Sequence, residues 1–185
     1  EDTGRGTLRH VLVRRGWRSG EILVVLVTAH GMLPGKRNFV RALLQQHPDI
    51  TTIVQNINAG QTSLVLGPHS EVLYGPGYIH EQLGDFTFRI SPRAFYQINP
   101  VQTEVLYRTA LEYAGLTGTE TVVDAYCGTG TIGIFASRNA ARVIGVENNR
   151  DAVRDAISNA KANRADNVRF YTADASDFLQ GMAKA

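Results

Sequence analysis

From Thr7 to Ile90 the chain is a series of short apolar runs rich in Val, Ile, Leu and Thr: TLRHVLVRR, EILVVLVTA, TTIVQNIN, SLVLG, EVLYGPGYIHEQLG and DFTFRI, divided by Gly, Pro and Asn. Runs of this length and composition predict β-strands. One stretch breaks the pattern. In NFVRALLQQH, Phe39, Val40, Leu43 and Leu44 recur at helical spacing, Asn38 stands at an N-cap position, and Pro48 follows the end. Residues 1–90 therefore predict a small α+β domain with an antiparallel sheet and one covering helix.

The texture changes after SPRAFYQ. Asn99 and Pro100 open a predicted helix, PVQTEVLYRTALEYAG, with Val101, Val105, Leu106, Leu111 and Ala114 as its apolar face and Gly115 as its stop. Strand and helix then alternate: ETVVDAY, GTIGIFASRNA, ARVIGVE, NRDAVRDAISNAKANR, NVRFYTA. Apolar strands joined by helices predict right-handed crossovers in a parallel sheet. Three such strands make half of a doubly wound domain, which usually has about six. Residues 91–185 are thus expected to be the first half of an α/β domain whose remainder lies beyond Ala185, and an open sheet edge there is a route to association. The oligomeric state is not legible.

Composition narrows the class. The 185 residues are 43% hydrophobic and 19% charged, which excludes collagen, coiled coil and disorder. No apolar run reaches the ~20 residues of a membrane span, and EDTGRG lacks the features of a signal peptide, so the expectation is a soluble, cytoplasmic protein without a membrane partner. The single cysteine, Cys127, allows no internal disulfide and no cysteine-based metal site. The net charge of +2 hides an uneven distribution: Arg5, Arg9, Arg14, Arg15 and Arg18 crowd the first 18 residues.

The chemistry concentrates in VVDAYCGTGTIG. Gly128, Gly130 and Gly133 form G-x-G-x-x-G between a strand and a helix, the spacing of a dinucleotide loop. Its surroundings argue against NAD. Asp124 ends the strand four residues before the first glycine, and a carboxylate there repels a pyrophosphate but suits a cationic ligand. S-adenosylmethionine, with an ammonium and a sulfonium and no phosphate, fits. Glu147 closes the second strand, where an acid can accept both ribose hydroxyls. Asp174 closes the third, in reach of an adenine amino group. Three acids at the carboxyl ends of three successive parallel strands converge on one crevice. The competing reading is that each acid caps the following helix. Tyr126 can lie against the ligand, and Cys127, with no histidine near it in sequence, reads as a small buried hydrophobe rather than a nucleophile.

SPRAFYQINPVQTEVLY followed by VVDAYCGTGTIGIFAS, VIGVENN and NVRFYTADA resembles the S-adenosylmethionine-dependent RNA (uracil-5-)-methyltransferases, above all the bacterial enzymes that make 5-methyluridine in 23S ribosomal RNA. The resemblance extends to GTLRHVLVRRG and the strands after it, which look like the family's central domain. It implies that Gln97 contacts the methionine end of the cofactor, that Tyr126 is a contact in the glycine loop, that Glu147 takes the ribose and Asp174 the adenine side. It also implies that Asp124 organises the loop and that Thr131 sits near the methionine carboxylate. The family's nucleophilic cysteine and general base lie in motifs that do not occur in this sequence. The resemblance therefore implies a Rossmann-like half-domain that carries cofactor binding but no catalytic residue, and a chain inactive by itself. No metal site is expected.

RNA is the expected partner, 23S ribosomal RNA first and tRNA second. Arg9, Arg14 and Arg15, with Arg18, His10 and Trp17 among them, can track phosphates and offer a stacking surface. Strand alternation places Arg9 and Arg15 on one face and Arg14 and Arg18 on the other, so a solvated strand face is the rival reading. Lys36, Arg37 and Arg41 at a helix start form a weaker basic group. Two other functions compete: methyl transfer to a protein or small molecule, and a non-catalytic RNA-binding module.

Overall fold

The structure is a computed structural model that describes residues 6–60 and 63–184. The chain divides into two compact units, one ending at His80 and the other beginning at Glu81. Arg5 lies outside the described residues.

In the first unit, β1 (Leu8–Arg15), β2 (Ile22–Thr28), α1 (Lys36–Gln46), β3 (Ile50–Ile57) and β4 (His69–Tyr74) build one sheet in the order β1-β2-β3-β4. The outer pairs are antiparallel, as the texture predicts, but the central pair β2–β3 is parallel. The cause is α1, which carries the chain back to the starting end of the sheet, as a parallel connection requires. The run ILVVLV is consistent with this: β2 is buried at nearly every position, the habit of a strand covered on both faces. Val40, Leu43 and Leu44 of α1 pack on Val24, Leu26, Ile50 and Ile53.

Two local expectations fail here. The helix starts at Lys36 with Gly35 in the left-handed conformation (φ 68°) as its N-cap, one turn before Asn38. SLVLG forms no strand. Two asparagines of the β3 end hold it as a loop instead. Asn56 Nδ2 donates to the Gly67 carbonyl and the Gly67 N–H donates back to Asn56 Oδ1 (3.0 and 2.7 Å), while Asn58 Nδ2 donates to the carbonyls of Leu64 and Val65. Side-chain amides satisfy the backbone that a ladder would otherwise pair.

The division falls inside β5 (Ile79–Leu83), the first strand of a hairpin; the second unit carries the rest of that strand and β6 (Phe86–Ile90), then α2 (Pro100–Ala114), β7 (Thr121–Asp124), α3 (Thr131–Ala136), β8 (Arg142–Glu147), α4 (Arg150–Ala162), β9 (Val168–Thr172) and α5 (Ala175–Ala183). β7, β8 and β9 form a parallel sheet in that order. The change of texture near residue 91 therefore falls about one hairpin after the division of the fold. Aromatic packing explains the difference: Phe135 of α3 lies 4.7 Å from Phe86 and 6.4 Å from Phe88, ring centre to ring centre, and meets Tyr107 of α2 edge-on at 5.5 Å. These rings belong to a core with Leu83, Ile134, Val143 and Val168.

The predicted apolar face of α2 is not the buried one. Pro100, Thr103 and Tyr107 are buried and Leu111 is partly so, whereas Val101, Val105 and Leu106 are more than half exposed. Engagement of the Tyr107 ring with Phe135 sets the rotation of the helix.

Helix α4 meets β6 through polar side chains. Asp155, Asn159 and Asn163 recur every four residues, and their helical rise of about 6 Å per step nearly matches two residues of strand. Asp155 accepts from the N–H and hydroxyl of Ser91 (2.9 and 2.8 Å) and pairs with Arg89 Nε at 3.1 Å. Asn159 accepts from the Arg89 N–H at 2.6 Å and donates to the Arg89 carbonyl at 3.2 Å. Asn163 repeats the pattern on Thr87, at 3.0 and 2.8 Å. Burial pushes the Asp155 carboxyl above its ordinary range, while Ser91 and Arg89 pull it down.

Candidate functional site

The loops after β7, β8 and β9 lie side by side at the carboxyl edge of the parallel sheet. The glycine loop folds back on β8: the Cys127 N–H donates to the Val146 carbonyl (3.0 Å), and the Gly130 N–H closes a turn on the Cys127 carbonyl (2.8 Å). Gly130, at φ 81°, ends this loop as the N-cap of α3, and a Cβ there would stand 2.6 Å from Phe170 Cζ. Only glycine allows both the conformation and the approach.

Glu147 holds the loop in place. Its Oε2 accepts from the Gly128 N–H at 3.1 Å and its Oε1 from the Asn149 N–H at 2.8 Å. Each carboxylate oxygen thus takes one backbone donor and keeps further acceptor capacity. The Ala173 N–H donates to the Glu147 carbonyl at 3.1 Å, which brings Asp174, the next residue, to the adjoining strand end. Asp174 does cap α5, accepting from Ser176 and Asp177 at 2.8 and 3.2 Å, but both bonds fall on Oδ1. The capping reading and the ligand reading are therefore compatible for this residue.

Asp124 is the unusual group. Its Oδ2 is buried and has no hydrogen-bond partner among the described residues. Burial lifts its carboxyl to about 6, against the pull of the backbone N–H groups of Gly133 and Tyr126, and the charge of Glu147 adds to the rise. A carboxylate kept here needs a cation or donor from outside.

Thr131 Oγ1 shares a hydrogen bond with Tyr107 Oη at 2.8 Å. Burial raises the Tyr107 hydroxyl above its ordinary range, the bond to Thr131 opposes this, and Asp124 reinforces it. Tyr107 has no motif to announce it in the sequence. Asn159 is the other residue missed: besides bridging β6, its Nδ2 donates to the Thr129 carbonyl of the glycine loop at 3.0 Å. A polar residue every four positions on a helix whose other inward residues are Ala and Val is the signal that could have found it.

Gln97 and Tyr126 stand apart from this network. Both are exposed, Gln97 on the segment between β6 and α2, and Tyr126 at 79% exposure on the outer side of the loop. Cys127 is buried, as a small hydrophobe is, and burial followed by the charges of Asp124 and Glu147 pushes its thiol far above the ordinary range.

In the first unit, Arg9 does not project as the alternation predicted. A register shift between Leu8 and His10 takes it out of the regular ladder, and its Nη1 donates to the carbonyls of Asn58 and Gly60, both at 2.7 Å. It ties β1 to the loop after β3. Lys36 pairs with Glu71 of β4 at 2.7 Å, so the helix-start lysine has an internal anion. Arg14 is half-buried and Arg15 exposed.

A parallel three-stranded β-α-β-α-β sheet with acids at its strand ends and a glycine loop after its first strand is a Rossmann-like arrangement. Residues 116–184 match the model of a methyltransferase domain. The chain is 48% identical over 179 residues to a protein of Halalkalibacterium halodurans described as an uncharacterized RNA methyltransferase, covering 97% of this chain and 39% of that one. A relative from Clostridium tetani with the same description is 45% identical over 179 residues, again covering 97% and 39%. The chain thus spans about two-fifths of the length of the curated relatives it matches. Among solved structures, the Pyrococcus abyssi tRNA (uracil-54, C5)-methyltransferase in complex with S-adenosyl-L-homocysteine superposes with a TM-score of 0.74 at 28% identity, over 93% of this chain and 41% of that one. The tRNA m1G37 methyltransferase of M. jannaschii shares the fold alone, with a TM-score of 0.53 at 14% identity, over 94% of this chain and 49% of that one.

Proposed function

We propose that the chain is the central and cofactor-binding part of an S-adenosylmethionine-dependent RNA methyltransferase whose reaction is methylation of carbon-5 of uridine. The observation that carries this reading is the set of acids on three strand ends: Asp124 with a buried, unpartnered oxygen, Glu147 drawn against the Gly128 N–H, and Asp174 with one oxygen outside its cap. This donor set suits a phosphate-free cationic nucleoside and disfavours a dinucleotide. Open space beside Gly128 fits the same ligand.

In this reading Glu147 accepts the ribose hydroxyls, Asp174 the adenine amino group, and Gln97 and Thr131 serve the methionine end. Tyr126 covers the adenosine, and Asp124 fixes the loop and supplies negative charge. When bound, S-adenosylmethionine supplies a methyl group carried on a sulfonium. The sole cysteine of the sequence is buried in the loop and is no nucleophile, so the chain by itself is inactive. Domain roles follow: the second unit binds the cofactor and the first contacts RNA. The similarity of the chain to RNA methyltransferases supports an RNA substrate, 23S ribosomal RNA being the first to test and tRNA the second.

Calorimetry with S-adenosylhomocysteine tests the site: wild-type chain binds, and Glu147→Ala and Gln97→Ala lose affinity. Absence of binding to folded full-length protein would remove the reading. Methyl transfer by full-length protein to unmodified 23S ribosomal RNA or tRNA, with the product nucleoside identified, tests the reaction; a product other than 5-methyluridine overturns the carbon-5 assignment.

A further inference from the structure

The turn between β1 and β2, GWRSG, carries the only tryptophan of the sequence at its tip, and Trp17 is 71% exposed. A single exposed apolar residue needs no explanation by itself. What distinguishes this one is the rigidity of its mount. The Gly16 N–H donates to the Glu21 carbonyl at 2.9 Å, and the Gly20 N–H, with φ 71°, donates to the Gly16 carbonyl at 3.1 Å. The turn is also anchored to the chain at His80. Ser19 Oγ donates to the His80 carbonyl and the His80 N–H donates to Glu21 Oε2, both at 2.6 Å. The Glu21 N–H in turn donates to Ser19 Oγ at 3.2 Å. An indole is therefore presented to solvent on a turn whose backbone is held from both sides.

The charge around it selects the partner. No acidic residue lies between Gly6 and Gly20, Arg14, Arg15 and Arg18 bracket Trp17, and the acid that follows, Glu21, is taken up by the His80 N–H. Protein interfaces also join tryptophan to arginine, but at an apolar core, whereas a single-stranded nucleic acid asks for an aromatic face flanked by several cations and no anion. Paired RNA hides its base faces within the stack and offers none to an indole.

We propose that the β1–β2 turn is a stacking platform on which Trp17 takes an unpaired base of single-stranded RNA, with Arg15 and Arg18 toward the flanking phosphates. This rests on the reading of the chain as part of an RNA methyltransferase and deepens it, because it names the residue of the first unit that takes the RNA and the single-stranded form that it takes. The fixed turn lowers the ordering cost of the contact.

The full chain is titrated with a uridine-rich single-stranded RNA 12-mer carrying an end label. Anisotropy of the label reports binding, and tryptophan emission reports the turn alone. The proposal expects Trp17 emission to be quenched with the same midpoint as the anisotropy change. It expects Trp17→Ala to weaken binding about 5- to 150-fold, the range a stacked base contributes, with Trp17→Phe in between. Far-UV circular dichroism of both variants should match wild type, since the side chain is largely in water. Binding with unchanged emission and an undiminished affinity in Trp17→Ala overturns the platform and leaves the RNA reading standing. No RNA binding by the full chain also overturns the platform. S-adenosylhomocysteine binding, which does not involve Trp17, then decides the wider reading separately.

Discussion

Replacing Asn159 by Ala removes three hydrogen bonds from a side chain that is 1% exposed. It strands the Arg89 N–H, the Arg89 carbonyl and the Thr129 carbonyl, partners at 2.6, 3.2 and 3.0 Å. Each buried group left unsatisfied costs about 1–3 kcal/mol. Thr129 is buried and pays this in full, while Arg89 is half-buried and regains part of it from water, so the sum is about 3–5 kcal/mol. That is a large share of the ~5–15 kcal/mol by which a domain is folded. Asn163→Ala is the internal control. It loses the same pair of bonds, to the backbone of Thr87, and a third to the Asn159 carbonyl at 2.8 Å, but in a more exposed setting where water substitutes, and its cost is about 1 kcal/mol. Urea unfolding of the full chain followed by far-UV circular dichroism measures both, and amide exchange at Arg89 reports the specific bond. Equal costs for the two variants, or a cost below about 1 kcal/mol for Asn159→Ala, would refute the argument that burial sets the value of this ladder.

Three further outcomes follow from the site. The Asp124 carboxyl sits at about 6 in the fold against an ordinary 3.8, so the native state holds its proton more tightly and stability falls as pH rises from about 4 to 6; Asp124→Asn should flatten that slope, stabilise the chain at pH 7 by about 1–3 kcal/mol and weaken S-adenosylhomocysteine binding. An unchanged slope in pH-dependent urea melts would sink this. Cys127 should resist iodoacetamide at pH 8 in the native chain and react at once in urea, as mass spectrometry would show; fast native labelling would contradict its burial. Gly130→Ala brings Cβ to 2.6 Å from Phe170 Cζ at a positive φ and should cost about 2–4 kcal/mol in the same melts, and a neutral substitution would mean the loop can move away.

Much of this architecture was legible from alternation and spacing, because each strand and helix that buries one face must advertise it. The parallel strands, Asp124 and Glu147 at their ends and the glycine loop are of this kind. What escaped depended on side chains doing the work of backbone. Asn56 and Asn58 turn the apolar SLVLG into a loop, and Arg9 joins two carbonyls far away in sequence. The face of α2 was misread because the ring of Tyr107, rather than the more numerous valines and leucines, finds the core. The parallel pairing of β2 with β3 was signalled by an uninterrupted apolar run that alternation alone does not interpret.

The ladder of Asp155, Asn159 and Asn163 has a consequence for how the protein keeps to itself. β6 belongs to a two-stranded sheet, and on its side away from β5 the N–H groups of Thr87, Arg89 and Ser91 would form a template for a foreign strand. Helix α4 occupies those groups with carboxamides and a carboxylate and so stands in for a third strand that has no free edge of its own. The hairpin is thereby closed to propagation: a neighbouring chain that approaches β6 meets a helix, and recruitment into a growing sheet stops at the first step.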